Sequence, residues 1–292
     1  MDHYRYFQIA GVTLAVSFPL TISESTFAEN LRQFQTGGAG EDQIVLNHHF
    51  GLPANVVEGE NNPVYRRPPW IIYQQDHGWT YVGFTRTGGE DRPHQVAYFN
   101  SDHSCAEIYN TNDRIFLAGD LHSLTLFPTD QILLARILPD RRAVFLHASG
   151  AILHGRGLAF IGHSGAGKST IVKTLLNQAE ILCDDRVILR RWEEGFRLHG
   201  SWSHGEVPLV SPNSAPLGAV FFLEQAAHNR LLALPPGQAA QRLAQYVVRP
   251  LVTTDWWHKV FDVIGVLAQE IPVYRLQFTQ DGGWVSLLEA LV

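Results

Sequence analysis

The chain has 292 residues, and 22 lysines and arginines stand against 28 aspartates and glutamates, so its formal net charge is −6. This balance gives no general attraction to nucleic acid or to an anionic membrane surface, and neither is expected as a partner. Two cysteines are too few for a disulfide framework. No apolar run approaches the roughly 18 residues of a membrane-spanning helix. We therefore expect a cytoplasmic protein of two domains.

Residues 1–122 are predicted to form a mostly β N-terminal domain, and the sequence pattern does not reveal its role. Short runs rich in β-branched and aromatic residues predict strands. These runs lie at residues 6–16, 70–73, 79–84 and 95–99. One further segment, residues 24–34, is predicted to be a short helix.

Helical and strand patterns alternate after residue 123. A helix is predicted over residues 132–138, with Thr129 as its cap and Pro139 as its end. Later strands are predicted at 143–146, 158–161, 181–183 and 273–278, and later helices at 169–177, 239–246 and 255–269. Such alternation is typical of an α/β domain, so we expect an α/β fold for residues 123–292.

Residues 162–169 satisfy the phosphate-loop pattern G-x-x-x-x-G-K-[ST]. Glycines allow the main chain to turn tightly, so that several N–H groups point at phosphate oxygens, and the next helix presents its positive end to the same anion. Lys168 is expected to reach the β- and γ-phosphates, and the Ser169 hydroxyl is expected to bind Mg²⁺. The predicted nucleotide-binding residues are Gly162, Ser164, Gly165, Ala166, Gly167, Lys168, Ser169 and Thr170.

Two acids, Asp184 and Asp185, directly follow the predicted strand 181–183. One aspartate of such a pair can hold Mg²⁺, directly or through water, while the other accepts a proton from an acceptor hydroxyl. The alternative is a solvated turn after a strand.

The signatures of two other phosphate-loop classes are absent from the sequence. Because there is no Leu-Ser-Gly-Gly-Gln segment, a transporter-type ATPase is not expected. Because there is no Asn-Lys-x-Asp for guanine, a GTPase switch is not expected either. The fourteen histidines show no zinc-binding spacing, and we assign no structural metal.

Four segments together resemble the catalytic core of bacterial HPr kinase/phosphorylase, which shares its phosphate-loop architecture with phosphoenolpyruvate carboxykinase. They are residues 145–150, 155–162, the phosphate loop and residues 184–187. The resemblance implies a P-loop kinase core of that type in the C-terminal domain. It implies that Asp184 is the general base and that Asp185 lies nearer Mg²⁺. It further implies that His147 stands beside the acceptor and helps to position or polarise the catalytic aspartate, and it suggests homo-oligomers.

Other positions depart from the HPr enzymes. His163 and Thr170 occupy positions where those enzymes usually carry acids, and their Glu-x-Arg-Gly signature is not found. Residues 200–206 look instead like a segment of a looser set of HPr-kinase-like proteins, some of which modify serines in peptide biosynthesis clusters. Within it, His204 and Glu206 could contact the acceptor or the metal, or could belong to a surface turn.

The sequence thus predicts an ATP-dependent kinase with ATP and Mg²⁺ as cofactors. It would transfer the γ-phosphoryl group to a serine-type hydroxyl of a protein, peptide or small molecule, with Lys168, His147 and Asp184 as catalytic residues. The alternative is a nucleotide-dependent binding or switch module without phosphotransfer. A third hypothesis, a carboxykinase acting on a small carboxylic acid, would need an arginine cluster that the sequence does not place.

Overall fold

The computed structural model describes residues 4–21, 23–54, 63–87, 90–125, 130–250 and 253–291. The chain divides into two compact units, Met1–Leu133 and Leu134–Val292. Thr129, the expected helix cap, lies outside the described residues. No helix in the described ranges is long and apolar enough to span a bilayer.

The Met1–Leu133 unit is built on a single sheet. Its strands are β1 (Arg5–Ile9), β2 (Val12–Ser17), β3 (Gln35–Thr36), β4 (Gln43–Phe50), β5 (Tyr65–Arg67), β6 (Trp70–Gln75), β7 (Gly78–Thr87), β8 (Glu90–Asn100) and β9 (Cys105–Asn110). Their order in the sheet is β3-β1-β2-β4-β9-β8-β7-β6-β5. The strands β2, β4 and β9 run parallel to one another, and the strands from β9 to β5 pair antiparallel.

Helix is scarce in this unit. Its helices are α1 (Glu29–Arg32) and α2 (Arg114–Ala118), with a short 3-10 turn at Glu24–Thr26. The helix predicted over residues 24–34 is therefore two short pieces. The break lies at Phe27, whose backbone is extended and forms an isolated parallel bridge with Leu121.

The Leu134–Val292 unit holds the second large sheet. Its strands are β10 (Ala143–Leu153), β11 (Arg156–Ile161), β12 (Glu180–Cys183), β13 (Arg186–Trp192), β14 (Gly195–His199), β15 (Ser214–Gln225), β16 (Arg230–Ala233) and β17 (Val273–Phe278). The remaining helices are α3 (Gln131–Ile137), which begins before the unit boundary, α4 (Lys168–Leu175), α5 (Pro236–Leu243), α6 (Thr254–Glu270) and α7 (Val285–Glu289). A 3-10 turn, Pro139–Arg141, precedes β10.

Five strands of the second sheet form a closed circuit. The pairs β11–β10, β10–β13, β13–β14 and β14–β15 are antiparallel, and the parallel pair β15–β11 closes the ring. The strands β17 and β16 extend the sheet beyond β15. The strand that leads into the phosphate loop, β11, therefore lies between an antiparallel and a parallel neighbour.

The expected α/β fold of a P-loop kinase core is wrong. The structure is mostly β, with 42 % strand and 23 % helix in two large mixed sheets. In an α/β core, helices connect parallel strands. Here a short turn joins β10 to β11, another joins β13 to β14, and both pairs are antiparallel. The sequence pattern located single strands and helices but not their direction, which depends on pairing between distant residues.

Both faces of the second sheet are covered by apolar side chains. The helices α5 and α6 pack on one face through residues such as Leu243, Trp256 and Val260, while α4 and α7 pack on the other through residues such as Ile171 and Leu288. Successive residues of β11 point alternately into the two clusters, which explains the unbroken apolar run at 158–161. The strand that carries the phosphate loop is thus held rigidly on both sides.

A buried histidine lies in the core of the first unit. The His48 ring stacks on Phe18 with ring centroids 4.9 Å apart, and its Nε2 lies 2.8 Å from the Leu124 carbonyl oxygen. The Asn110 amide donates to its Nδ1 at 3.1 Å. Burial lowers the pKa of His48 to about 4, so the ring is neutral in the folded protein at neutral pH.

The unfolding free energy should therefore fall as the solution is made acidic. The pKa of His48 is about 4 in the folded state, against the ordinary 6.5 of an unfolded chain. Between pH 6.5 and pH 4, proton binding to this histidine therefore stabilises the unfolded state. At about 1.4 kcal/mol per pH unit, we expect a loss of about 3 kcal/mol from this histidine between pH 7 and pH 4. Urea unfolding followed by circular dichroism at several pH values measures it.

The substitution His48→Gln should remove that part of the pH dependence. The matched control is His77→Gln, which changes an exposed histidine in the turn between β6 and β7 and should leave the pH dependence as in the parent. An unchanged slope in the His48 variant would contradict the assignment.

Candidate functional site

The phosphate loop has the strand–loop–helix form that its sequence predicts. β11 ends at Ile161, the loop covers residues 162–167, and α4 begins at Lys168. Gly167 has φ +103°, and a Cβ atom at this position would lie 2.6 Å from the ring of Phe278. Only glycine fits there, because the left-handed backbone and the close ring both exclude a side chain. The loop main chain is thereby fixed at the N-terminus of α4.

The two predicted acids lie at an interruption in a strand. β12 and β13 both pair with β10, one after the other, and Asp184 and Asp185 form the step between them. The register shifts at the neighbouring part of β10, beside Gly150, and the Ser149 hydroxyl donates to the Asp184 carbonyl oxygen at 3.1 Å. Such irregularities re-aim side chains away from the regular face of a sheet. Here they bring both carboxylates to the phosphate loop.

Asp184 is buried, and each of its carboxylate oxygens accepts one main-chain N–H group. It is 2 % exposed, and its carboxylate accepts the N–H groups of Gly205 and Val207, the latter at 2.7 Å. A buried carboxylate requires such compensation because the cost of removing its charge from water is high. Asp184 therefore fixes the loop at residues 203–207 beside the phosphate loop.

A chain of polar contacts connects the charged side chains at the centre of the site. Lys168 donates to the Gly162 carbonyl oxygen at 2.7 Å, and its Nζ lies 3.2 Å from Nε2 of His147. Nδ1 of His147 lies 3.2 Å from Oδ1 of Asp185, and Arg186 donates to the other oxygen of that carboxylate. A neutral His147 with its proton on Nδ1 satisfies both of its contacts, since Nε2 then accepts from the ammonium group.

Burial and neighbouring charges act on the pKa values of this chain of groups. The pKa of His147 lies below its ordinary value, mainly because the ring is partly buried and secondly because the Lys168 cation is close, while Asp185 opposes the shift. Burial also lowers the pKa of Lys168, and the carboxylates of Asp185 and Asp184 act in the opposite direction. Both shifts have the direction expected for cationic groups removed from water.

Glu206 adds a third carboxylate at the rim. It pairs with Lys173, on α4, and the hydrogen bond from Lys173 is the main reason that the pKa of Glu206 is lowered. The positive charge of Lys173 and a hydrogen bond from the Ser169 hydroxyl lower it further. His204, by contrast, makes a local contact with the carbonyl oxygen of Gly205. Of the two residues left open by the sequence, Glu206 is the one that contacts the phosphate-loop helix.

These elements enclose a cleft of about 440 Å³. Predicted site residues that line it are His147, Ser164, Gly165, Gly167, Lys168, Ser169, Thr170, Asp184 and Asp185. Two predicted residues do not line it: Gly162 contributes the carbonyl oxygen bound by Lys168, and Ala166 is buried. The acids and the phosphate loop thus share one surface.

Gln225, which was not predicted as a site residue, also lines this cleft. Its side-chain amide donates to the Gly165 carbonyl oxygen at 3.0 Å and so supports the phosphate loop from outside. Gln225 is the last residue of β15, and β15 pairs parallel with β11 across about 60 residues of sequence. No local motif marks it, because its position depends on that distant pairing.

The fold and the cleft together define a mostly β protein that carries a phosphate-loop sequence between a strand and a helix. The chain belongs to the ScmC family: the family model described as SynChlorMet cassette protein ScmC matches residues 129–292. The matched region contains the phosphate loop, the two aspartates, His147 and Glu206. Assignment to the HPr kinase/phosphorylase family is therefore wrong, since ScmC is a different family and no kinase family matches. Among curated proteins, none matches the chain.

Removal of the Asp184 carboxylate should release the loop at residues 203–207. In Asp184→Ala, the N–H groups of Gly205 and Val207 lose a charged acceptor, a loss of about 1.4 kcal/mol or more per bond. We expect about tenfold faster amide hydrogen exchange at both positions, measured residue by residue with NMR.

Asp281→Ala is the matched control for this measurement. Asp281 also accepts a main-chain N–H, that of Gly283, but in an exposed turn near α7. This variant should accelerate exchange at Gly283 and leave residues 203–207 unchanged. Unchanged protection of Gly205 and Val207 in Asp184→Ala would show that other contacts hold the loop.

Proposed function

We propose that this protein is an ATP-dependent phosphotransferase that transfers the γ-phosphoryl group to a serine-type hydroxyl of a protein, peptide or small molecule. One observation carries the proposal: the acids at the β12–β13 step line the same cleft as the phosphate loop. Phosphoryl transfer requires charge neutralisation on one side and a proton acceptor near the attacking hydroxyl on the other. The cleft offers both types of group.

The phosphate end of the site would consist of the loop amides, the N-terminus of α4 and Lys168. Main-chain N–H groups at a helix N-terminus bind anions without reorganisation, because their direction is set by the fold. Lys168 is 9 % exposed, and its ammonium group is held by carbonyl oxygens of the loop. A triphosphate would replace these weak neutral acceptors with stronger charged ones, which favours binding.

The oxygen donors in the cleft fit Mg²⁺. The Ser169 hydroxyl and the carboxylates of Asp185 and Glu206 are hard ligands of the kind that Mg²⁺ prefers. Among the residues that the structure describes, no group of three acidic, histidine or cysteine side chains could hold a metal ion by itself. This suits an ion that keeps several waters and binds largely to substrate phosphates. When bound, Mg²⁺ would neutralise charge on the transferred phosphoryl group.

The acceptor end would use Asp184 as the proton acceptor. Each carboxylate oxygen has two acceptor directions, so the bonds from Gly205 and Val207 leave one acceptor direction on each oxygen for a hydroxyl. Asp185 contacts the positively charged Arg186 directly. It is linked to the positively charged Lys168 through the neutral ring of His147. We propose that Asp185 and His147 orient the acceptor end. Asp184 takes the hydroxyl proton as the new O–P bond forms, while the bond from the γ-phosphorus to the β,γ-bridging oxygen breaks and ADP leaves.

The first acceptors to test are the proteins and peptides encoded beside the gene, because the matching family is one of cassette proteins. Binding of ATP without transfer to any acceptor, and without hydrolysis, would instead support the alternative, a nucleotide-dependent binding or switch module.

Two substitutions should separate binding from transfer. Lys168→Ala removes the only side-chain cation proposed to contact the phosphates, and we expect ATP affinity to fall at least about 100-fold by isothermal titration calorimetry with Mg-ATP. Asp184→Asn should keep ATP affinity within a few-fold but lower the transfer rate by about 100- to 10,000-fold, measured with γ-labelled ATP.

The matched controls are Lys259→Ala and Asp281→Asn, which remove the same charges from α6 and from the turn before α7. Both should bind and transfer as the parent does. Parent-like ATP binding by Lys168→Ala would overturn the phosphate site, and parent-like transfer by Asp184→Asn would overturn the proton acceptor.

The transfer rate should depend on the protonation of His147. Its pKa lies below 6.5, and the neutral ring is needed to accept from Lys168 and to donate to Asp185. We therefore expect kcat/KM to be level near neutral pH and to fall at acidic pH as the ring gains a proton.

In His147→Gln this acidic decline should disappear and kcat should fall at least about tenfold. His154→Asn, in the turn between β10 and β11, is the control and should keep both the rate and the pH profile. The same acidic decline in the His147 variant would assign it to another group.

A further inference from the structure

A second cleft lies in the Leu134–Val292 unit, between α6 and the β13–β14 hairpin. Its volume is about 450 Å³, close to that of the phosphate-loop cleft, and it shares no lining residue with it. Part of its lining is apolar. Phe196 and Val263 are buried, and Val266 is 37 % exposed. An apolar surface that faces solvent in a cleft of this size is a common feature of ligand sites.

Charged groups of both signs also line this cleft. Arg191 and Glu270 neutralise each other: Nε of the guanidinium lies 3.1 Å from each carboxylate oxygen, and Nη2 lies 2.7 Å from one of them. Arg142 and Asp262 line the same cleft. Both residues are exposed to solvent, and within the described ranges neither side chain has a hydrogen-bond or ion-pair partner in the protein.

The position of Arg142 is fixed by its main chain. It has a left-handed backbone, with φ +54°, at the end of the 3-10 turn before β10. Its carbonyl oxygen accepts the N–H of Arg191 at 3.0 Å, which fastens its backbone to β13. A guanidinium beside this cleft is well suited to a carboxylate, because its N–H groups match the two oxygens.

We propose that this cleft binds a zwitterionic amino acid with an apolar side chain. The carboxylate would pair with Arg142, the ammonium group with Asp262, and the side chain would cover Phe196 and Val266. A ligand with only one charge would form one of these two ion pairs instead of both. This binding is independent of the proposed phosphotransfer.

The test is titration of the full-length protein with L-phenylalanine, followed by isothermal titration calorimetry and NMR. Three further compounds each lack one feature: N-acetyl-L-phenylalanine has no ammonium group, L-phenylalaninamide has no carboxylate, and glycine has no side chain. We expect saturable binding of L-phenylalanine and about tenfold or weaker affinity for each of the three.

Two variants test which side chain binds the carboxylate and which binds the ammonium group of the ligand. Arg142→Gln should weaken L-phenylalanine about tenfold and remove its advantage over L-phenylalaninamide, while Asp262→Asn should remove its advantage over N-acetyl-L-phenylalanine. Arg230→Gln, on the edge strand β16, is the control and should bind as the parent does.

Absence of saturable L-phenylalanine binding would overturn the proposal, and so would equal affinities in the parent and both variants. A concentration-dependent dimer that is abolished by Val266→Glu would also overturn it, because a second copy of the chain would then occupy this face.

Discussion

The arrangement of the site depends on the irregular pairing of β10. One edge of this strand pairs first with β13 and then with β12, and the step between these two partners is Asp184–Asp185. The part of β10 beside that step also pairs with β11, which leads directly into the phosphate loop. A regular ladder would place alternate side chains on opposite faces and would separate the two acids. The irregularity keeps both beside Lys168, in a sheet that is otherwise rigidly packed.

The buried carboxylate of Asp184 connects the loop at residues 203–207 to the rest of the site. Asp184 needs donors because it is removed from water, and the N–H groups of Gly205 and Val207 need acceptors for the same reason. Each therefore stabilises the position of the other. Through this loop, Glu206 reaches Ser169 and Lys173 on α4, so residues that are far apart in sequence form one connected group of charges.

Local structure was predictable from the sequence, and long-range topology was not. The strand, loop and helix around residues 162–169 follow from apolar patterning, glycine positions and the motif, and the acid pair follows from its place after a strand. Strand direction is decided by partners, as for β11 with β15, which is why the α/β fold was wrong and Gln225 was missed. The likeness to HPr kinase rested on the short segments around the site, whereas the ScmC match covers residues 129–292.

The two adjacent aspartates have different surroundings, and this difference suggests different tasks. Asp184 is held by uncharged main-chain donors in a nearly closed position, whereas Asp185 is more open and bonded to His147 and Arg186. Asp185 has a direct cationic partner in Arg186, whereas Asp184 has none among the described residues. In the proposed reaction, Asp185 therefore holds its charged and polar neighbours in place, while Asp184 presents its remaining acceptor directions to the hydroxyl.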